Sequence, residues 1–356
     1  AMIPARDLCT KTNGDASYFK TYNYNPEDTS PAPPNSTTTL ASMNLHDGSI
    51  RWARKITPEM HTHYYYDKSA TPQRSFLEFQ ECASTALISN EKYLAFYLRP
   101  WMTSEGSSNI SDQRMNIMVL DTETGNEVRT VEVTGIVLGH ALTNDSLAVE
   151  TAENFYPADT GKLDIFSLAN PQEKPTTIRT NHWLAGATSN SLLMSQQDPK
   201  GNYQDSICAL TTLSITGEEE DTITGVAAIH PGGWIERFKD PETAATIFQR
   251  DATTTPEETQ RTKELDALPR DLINLDTGTT VDITGLSTTE VILPTSPGIL
   301  LRTATTTEKD GMESTTYTAT SWLPATPDAT ELRADDMQHI EGEVASEPIH
   351  MGDKVR

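Results

Sequence analysis

The stretch Met115 to Val133, MNIMVLDTETGNEVRTVEV, decides how the chain is read. Apolar residues alternate through MNIMVL, the pattern of a strand with one side buried. Asp121, Thr124 and Gly125 then supply turn chemistry, and EVRTVEV alternates back. This is a hairpin. Shorter or weaker versions are LASMNLHDGSIRWARKI (Leu40 to Ile56), DLINLDTGTTVDI (Asp271 to Ile283), LDIFSLANPQEKPTTI (Leu163 to Ile178), ICALTTLSITGEEEDTI (Ile207 to Ile223) and TATSWLPATPDATELRA (Thr318 to Ala334).

A second class of hairpin alternates with the first, with a short turn and a more hydrophobic second strand. It comprises Ala83 to Leu98, Gly139 to Thr151, Leu184 to Gln196, Val226 to Phe238, Val291 to Thr303 and the fragment Glu347 to Val355. Two hairpins in alternation make a four-stranded antiparallel unit, recurring at intervals of roughly 42 to 66 residues, against an average of ~40–50 residues for a β-propeller blade. The fold class expected is therefore all-β: one propeller domain over residues 1–356, six blades by the count. A seventh follows only if Asp7 to Tyr24 and the C-terminus make a separate blade. Residues 347–355 are expected to pair antiparallel within the blade holding 39–56, as its inner strand or strands, so that N- and C-terminal strands close the ring.

Three insertions break the repeat: 57–81, 99–114 and 239–270. In the last, Thr255 is expected to cap a short helix over 256–267, with Pro256 at its first position and Glu258 completing a capping box. The first two hold the candidate recognition residues Tyr64, Tyr65, Tyr66, Phe76, Phe79 and Trp101, aromatic rings in otherwise polar sequence. Such rings suit contact with protein or sugar, and equally suit sealing a loop onto a blade. His61 and His63 have the i, i+2 spacing of strand-borne ligands, but two imidazoles do not define a metal site. His140, His182, His230 and His350 fall on or beside expected inner strands at different offsets from the turns, so they form no single layer. The acidic turns Asp121 to Glu127 and Gly217 to Asp221 lack the ligand rhythm of a dedicated calcium loop.

The outer hairpins resemble the repeat of the PQQ-like, or quinoprotein-like, β-propeller family, whose form is apolar-x-Leu-Asp-x-x-Thr-Gly-x-x-x-Trp. VLDTETGNEVRT matches through Asp121, Thr124 and Gly125. NLDTG (Asn274 to Gly278) is a shortened match, and NLHDGSIRW keeps Asp47, Gly48 and Trp52. Quinone dehydrogenases of that family hold calcium with acidic and amide side chains and place a vicinal Cys–Cys disulfide over the quinone. Here Cys9, Cys82 and Cys208 include no adjacent pair, and most blades lack the Trp, so PQQ is not expected, while calcium at the acidic turns stays an open reading that their spacing does not support. One bridge among the three cysteines and three buried thiols are both open readings. The sialidase box cannot be traced, Asp47-Gly48 with Trp52 being only a superficial likeness. Metallopeptidase, nucleophile-elbow and phosphate-loop motifs are also not found.

Composition excludes some partners. Against 51 acidic residues stand 27 basic ones, a formal charge of -24. That argues against nucleic acid and against anionic lipid. Roughly one residue in seven is Thr, which fits wet sheet faces exposed at a cell surface. No run of ~18 apolar residues occurs. Ala1-Met2 reads as a cloning remnant, so a leader or anchor is expected to have been removed. The function expected is an extracytoplasmic, monomeric propeller that binds or scaffolds a protein or glycan partner in the cell envelope. The alternative is a propeller enzyme acting on a glycan at the mouth of the central channel.

Overall fold

The computed structural model describes residues 9–13, 16–22, 38–44, 50–57, 85–90, 92–98, 114–152, 161–180, 182–195, 208–230, 233–250, 254–285, 290–294, 298–309, 312–324 and 347–350. Among these residues the strands form six blades of a β-propeller. Blade 1 is β1 (Cys9–Asn13), β2 (Ala16–Tyr22), β3 (Thr38–Asn44) and β4 (Ile50–Thr57). Blade 2 is β5 (Thr85–Ser89), β6 (Tyr93–Leu98), β7 (Arg114–Asp121) and β8 (Glu127–Thr134). Blade 3 is β9 (Ile136–Leu142), β10 (Ser146–Ala152), β11 (Gly161–Ser167) and β12 (Thr176–Arg179).

Blade 4 holds β13 (Trp183–Ala187), β14 (Ser191–Ser195), β15 (Cys208–Ser214) and the first half of β16 (Glu219–His230). The second half of β16 crosses into blade 5 and pairs with β17 (Trp234–Phe238). Helices α1 (Pro241–Phe248) and α2 (Thr255–Asp266) follow, then β18 (Arg270–Asn274) and β19 (Thr280–Asp282). Blade 6 contributes β20 (Glu290–Pro294), β21 (Gly298–Lys309) and β22 (Met312–Pro324). A last strand, β23 (Glu347–His350), joins blade 1.

The first strand of each blade is innermost. β1 touches both β5 and β20, while β9 touches β5 and β13. The inner hairpin of blade 1 is therefore β1–β2, from the stretch that would otherwise have made a seventh blade. The N- and C-terminal regions do pair, but the expected antiparallel inner position is corrected. β23 runs parallel to β4 on its outer edge, Glu347 opposite Arg54 and Ile349 opposite Ile56. His350 accordingly lies at the rim and not on an inner strand. The second half of the expected 318–334 hairpin lies outside the described residues.

Among the described residues, blades 2 to 5 meet face to face, and the apolar core lies between them. On β10, Leu147 and Val149 meet Ile117, Val119 and Val131 of blade 2. Ala148, from the opposite side of the same strand, meets Leu192, Met194 and Leu213 of blade 4. Leu193 and Leu210 then face Val226 and Ile235 of blade 5. This two-sided burial explains the near-continuous apolar runs of the second strands, such as YLAFYL and SLLMS.

The outer rims interlock by one repeated device. Trp52, the residue four after Gly48, lays its indole on Gly125 of the blade 2 outer turn and donates Nε1–H to the Thr122 carbonyl at 2.9 Å. A Cβ at Gly125 would lie 2.5 Å from Trp52 Cδ2, and the backbone there has φ +67°. Arg54 completes the grip, donating to the carbonyls of Gly125 (2.8 Å) and Thr124 (2.7 Å). Four residues after Gly125 stands Arg129, which donates to the Ser167 and Glu173 carbonyls of blade 3 over the Phe166 ring. Ile178 of blade 3 in turn packs on Gly217 of blade 4, 3.2 Å from where a Cβ would be. Trp, Arg and Ile thus do the same work at successive rims. Around Gly278 of blade 5 the corresponding space is open.

Trp52→Ala is expected to cost about 3–5 kcal/mol in chemical denaturation, as for other buried aromatics. Gly125→Ala should cost about 2 kcal/mol or more, from left-handed backbone and clash together. Gly278→Ala, with the backbone term alone, should cost about 1 kcal/mol. Because Trp52 and Gly125 touch, the Gly125 change should cost less in a Trp52→Ala background, a coupling of about 1 kcal/mol. Additive costs would show that the rim contact does not hold the blades.

Candidate functional site

Antiparallel order divides the ring into two faces. One carries tight turns, tied blade to blade by hydrogen bonds. Asn90 Nδ2 donates to the Thr143 carbonyl at 2.9 Å, and Lys92 Nζ to that of Asn144 at 3.3 Å. Asn144 N–H reaches the Ser189 carbonyl at 2.8 Å. Ser189 donates its N–H and Oγ–H to the Asp276 carboxylate, the hydroxyl at 2.6 Å. These bonds join blades 2 to 5. They tie the described turns of this face into one preorganised array.

The other face receives the long connections. Strands end there at Thr57, Leu98, Ala152, Ser195 and Phe238, and the next ones begin at Thr85, Arg114, Gly161, Cys208 and, after the helices, Arg270. All three insertions singled out in the sequence therefore leave from one face. Two of them flank blade 2, one before β5 and one between β6 and β7. Tyr64, Tyr65, Tyr66, Phe76, Phe79 and Trp101 belong to these two connections and lie outside the described residues, as do His61, His63 and Cys82. Cys9 begins the inner strand of blade 1, and Cys208 begins the third strand of blade 4.

The third insertion shows how a connection can be fixed to this face. Asp240 caps α1, accepting from Thr243 N–H at 3.0 Å and Thr243 Oγ–H at 2.7 Å. Those bonds hold its carboxyl below the usual range. Helix α1 buries Ala244 and Ile247 against the ring. Helix α2 begins one residue earlier than expected: Thr254 is the cap, and Glu257, not Glu258, accepts from the Thr254 N–H at 3.0 Å. The helices are joined by the Arg250–Glu264 ion pair at 2.6 Å and by Arg261 reaching back to the Phe248 and Arg250 carbonyls. At the base, Lys239 bridges Asp282 at 2.8 Å and Asp271 at 3.3 Å. Its hydrogen bond to Asp282 raises the ammonium and depresses that carboxyl far below its ordinary value.

Toward the channel, the inner strands of blades 3 to 5 carry small residues: Gly139 and Ala141, Ala185 to Ala187, and Ala227 with Ala228. Small residues let inner strands approach closely, and a Cβ on Gly186 would sit 3.1 Å from Ile229 Cγ2. His140 is buried in mid-β9 opposite Val149, while His230 ends its strand opposite Trp234, so they stand at different heights. Buried Glu150 accepts from Leu184 N–H at 2.9 Å, joining blade 3 to blade 4. Among the described residues no three His, Cys, Asp or Glu side chains gather as a metal site. The acidic turn at Asp121 turns inward: its Oδ1 accepts from Glu123 N–H, Thr124 N–H and Thr124 Oγ–H. No helix among the described residues is long and apolar enough to cross a membrane.

No protein-family model matches the chain, and no curated protein matches it in sequence. Several solved structures resemble it. The β-propeller domain of the Trilobed protease from Pyrococcus furiosus, with an open velcro topology, is 11% identical at a TM-score of 0.41, over 89% of this chain and 84% of its own. The acylaminoacyl peptidase of Pyrococcus horikoshii is 10% identical at a TM-score of 0.42 over 87% of this chain. This chain covers 52% of that peptidase, about half its length. BamB from Moraxella catarrhalis is 12% identical at a TM-score of 0.32, over 91% and 89% of the two chains.

The helical excursion should loosen with acid before the ring does. Asp240, Glu264 and Asp282 all have carboxyls depressed by bonds made only in the folded state. Their stabilisation is present above the ordinary carboxylate pKa of about 4 and is lost as pH falls through the folded values. Hydrogen exchange, corrected for intrinsic rates, should accelerate at 241–248 below about pH 4 while β10 and β14 stay protected. Lys239→Met should produce the same local acceleration at neutral pH. Uniform acceleration throughout the ring would contradict it.

Proposed function

We propose that the chain is a binding or scaffold module of the cell envelope, working outside the cytoplasm, which holds a protein or glycan partner on the connection face above blade 2. The observation that carries this reading is that the strand ends flanking two connections, Thr57, Thr85, Leu98 and Arg114, lie on one face at blade 2 and its neighbour. Residues 58–84 and 99–113 leave from Thr57 and Leu98 on the same face and return into β5 and β7 of one blade. These two connections contain Tyr64, Tyr65, Tyr66, Phe76, Phe79 and Trp101. Large rings presented on loops over a packed scaffold commonly carry most of an interface's energy.

The repeat is read as PQQ-like in form, on the strength of Gly125 and Trp52, whose contact gives the motif's Gly and Trp a shared role. The reading involves no quinone and no calcium. The extracytoplasmic assignment draws on the Thr-rich, acidic composition, which suits wet sheet surfaces.

Tyr65→Ala and Trp101→Ala test it. Each variant should keep its stability within about 1 kcal/mol of the parent, as an ordinary surface substitution does. Each should also lose partners that the immobilised parent retains from an envelope extract or on a glycan array, compared quantitatively. Lower melting together with undiminished retention by the folded fraction would assign the rings to sealing the loops.

A further inference from the structure

The outer turn of blade 5 repeats that of blade 2 bond for bond. Gly278 N–H donates to the Asn274 carbonyl at 2.8 Å, as Gly125 N–H does to that of Asp121 at 2.8 Å. Thr277 N–H reaches Asn274 Oδ1 at 3.0 Å, where Thr124 N–H reaches Asp121 Oδ1 at 2.8 Å. The two glycines have φ +71° and +67°. Leu275, Thr277 and Gly278 therefore stand where Thr122, Thr124 and Gly125 stand. At blade 2 those three carbonyls accept from Trp52 Nε1, Arg54 Nη2 and Arg54 Nε. At blade 5 nothing among the described residues lies within 4 Å of a Cβ built on Gly278. No described side chain donates to the Leu275 or Thr277 carbonyl, and that of Gly278 has a long 3.4 Å bond from Thr280 Oγ–H.

The reason lies in blade 4, whose outer strand would cover this turn. Four residues after Gly217, where Trp52 and Arg129 follow their own glycines, stands Asp221, exposed. Its N–H donates to Thr212 Oγ1 at 3.0 Å. Ile223, two residues on, packs on the same core cluster as Ile273 and Leu275 of blade 5. The covering position thus faces blade 5, but a carboxylate there has no proton to give to turn carbonyls. What remains is a notch with an apolar floor, carbonyl acceptors on one wall and a carboxylate on the other.

We propose that this notch between the rims of blades 4 and 5 takes an arginine side chain from a partner polypeptide. The guanidinium donates to the Leu275, Thr277 and Gly278 carbonyls and pairs with Asp221. Arginine is the side chain this molecule itself uses on such turns: Arg54 on Thr124 and Gly125, and Arg129 on Ser167 and Glu173. Its five donors form a planar fork that serves carbonyls and a carboxylate together, which the point charge of lysine does not. An indole would satisfy one carbonyl and leave Asp221 unpaired. The charge agrees, since Glu218, Glu219 and Glu220 precede Asp221 in a chain of formal charge -24. The notch lies at the outer edge of the tight-turn face, so it stands apart from the partner proposed for the connection face.

The probe is acetyl-Trp-Ala-Arg-amide, the sequence of Trp52 to Arg54. Titrated into the full-length chain, it should shift the amide resonances of Thr277, Gly278 and Thr279 saturably. Asp221→Arg supplies the missing side chain from within, so it should cut affinity at least about tenfold and raise the denaturation midpoint. Asp221→Asn should cut affinity about threefold or more by removing the charge alone. Glu123→Arg, the same change of charge on the blade 2 turn, should leave affinity within about twofold. Replacing the peptide's arginine with lysine should weaken binding about threefold or more. Absence of shifts at about 10 mM peptide would overturn the proposal. So would shifts scattered over the surface, which signify general attraction to an acidic protein, or equal losses in Asp221→Arg and Glu123→Arg.

Discussion

Everything in the ring depends on a constraint at the blade faces: a four-stranded sheet with two apolar faces has to be covered on both. Neighbouring blades satisfy each other, as Leu147 and Val149 do toward blade 2 and Ala148 toward blade 4. Hydrophobic burial fixes the spacing of the blades but is indifferent to small rotations between them, because it is not directional. The rim contacts supply direction. Trp52 donating to the Thr122 carbonyl, and Arg129 to those of Ser167 and Glu173, require one orientation of adjacent sheets. They also satisfy turn carbonyls that would otherwise rely on water.

That requirement explains why the repeat is conspicuous in some hairpins and faint in others. The outer strand just after the turn needs a side chain long or broad enough to cover the next turn, and several chemistries suffice: Trp52 and Arg129 stand four residues after Gly48 and Gly125, whereas the turn before Ile178 holds no glycine. Arg129 lies over the Phe166 ring, and burial lowers the pKa of its guanidinium while Glu173 opposes the shift. Ile178 only fills space over Gly217. A sequence search for Trp at this position finds blade 1 alone, although the contact itself recurs in blades 2 and 3.

The same physics separates what could be read from sequence from what could not. Turns with Asp, Thr and Gly, and second strands buried on both sides, leave clear patterns, so the hairpins from 83 to 303 were legible. β1 and β2, CTKTN and ASYFKTY, have few apolar residues, so although Asn13, Gly14 and Asp15 at their junction are turn formers the C-terminal fragment was a more plausible inner strand by pattern. Strand direction and edge are decided by long-range pairing, to which local pattern is blind. Helix α2 has a readable cap and proline, displaced by one residue because Thr254 and Thr255 are equivalent in sequence. Helix α1 has its own cap at Asp240 and its own Pro241, but Thr243, Thr246 and Ile247 weaken its helical character. Of the candidate site, its placement on one face was hidden, since it follows from strand direction; its aromatic content was open to reading.

Placing recognition on the connection face follows from how a propeller can change without unfolding. In blades 2 to 5 the turns on one face are cross-linked from blade to blade, as Asn90, Asn144, Ser189 and Asp276 show. Lengthening one of these would displace a neighbour's partner. Connections on the opposite face join strands whose ladders are already complete, and closing a longer loop costs little more than closing a short one, roughly 0.6 kcal/mol per doubling. The α1–α2 excursion shows the arrangement carried through: over thirty residues leave and rejoin blade 5 while β17 and β18 pair from Trp234 to Phe238 without a break. Its hold on the ring needs only Lys239, Ala244 and Ile247 at the base. A face that tolerates such additions next to a rigid channel is where binding chemistry can be placed at least cost to the fold.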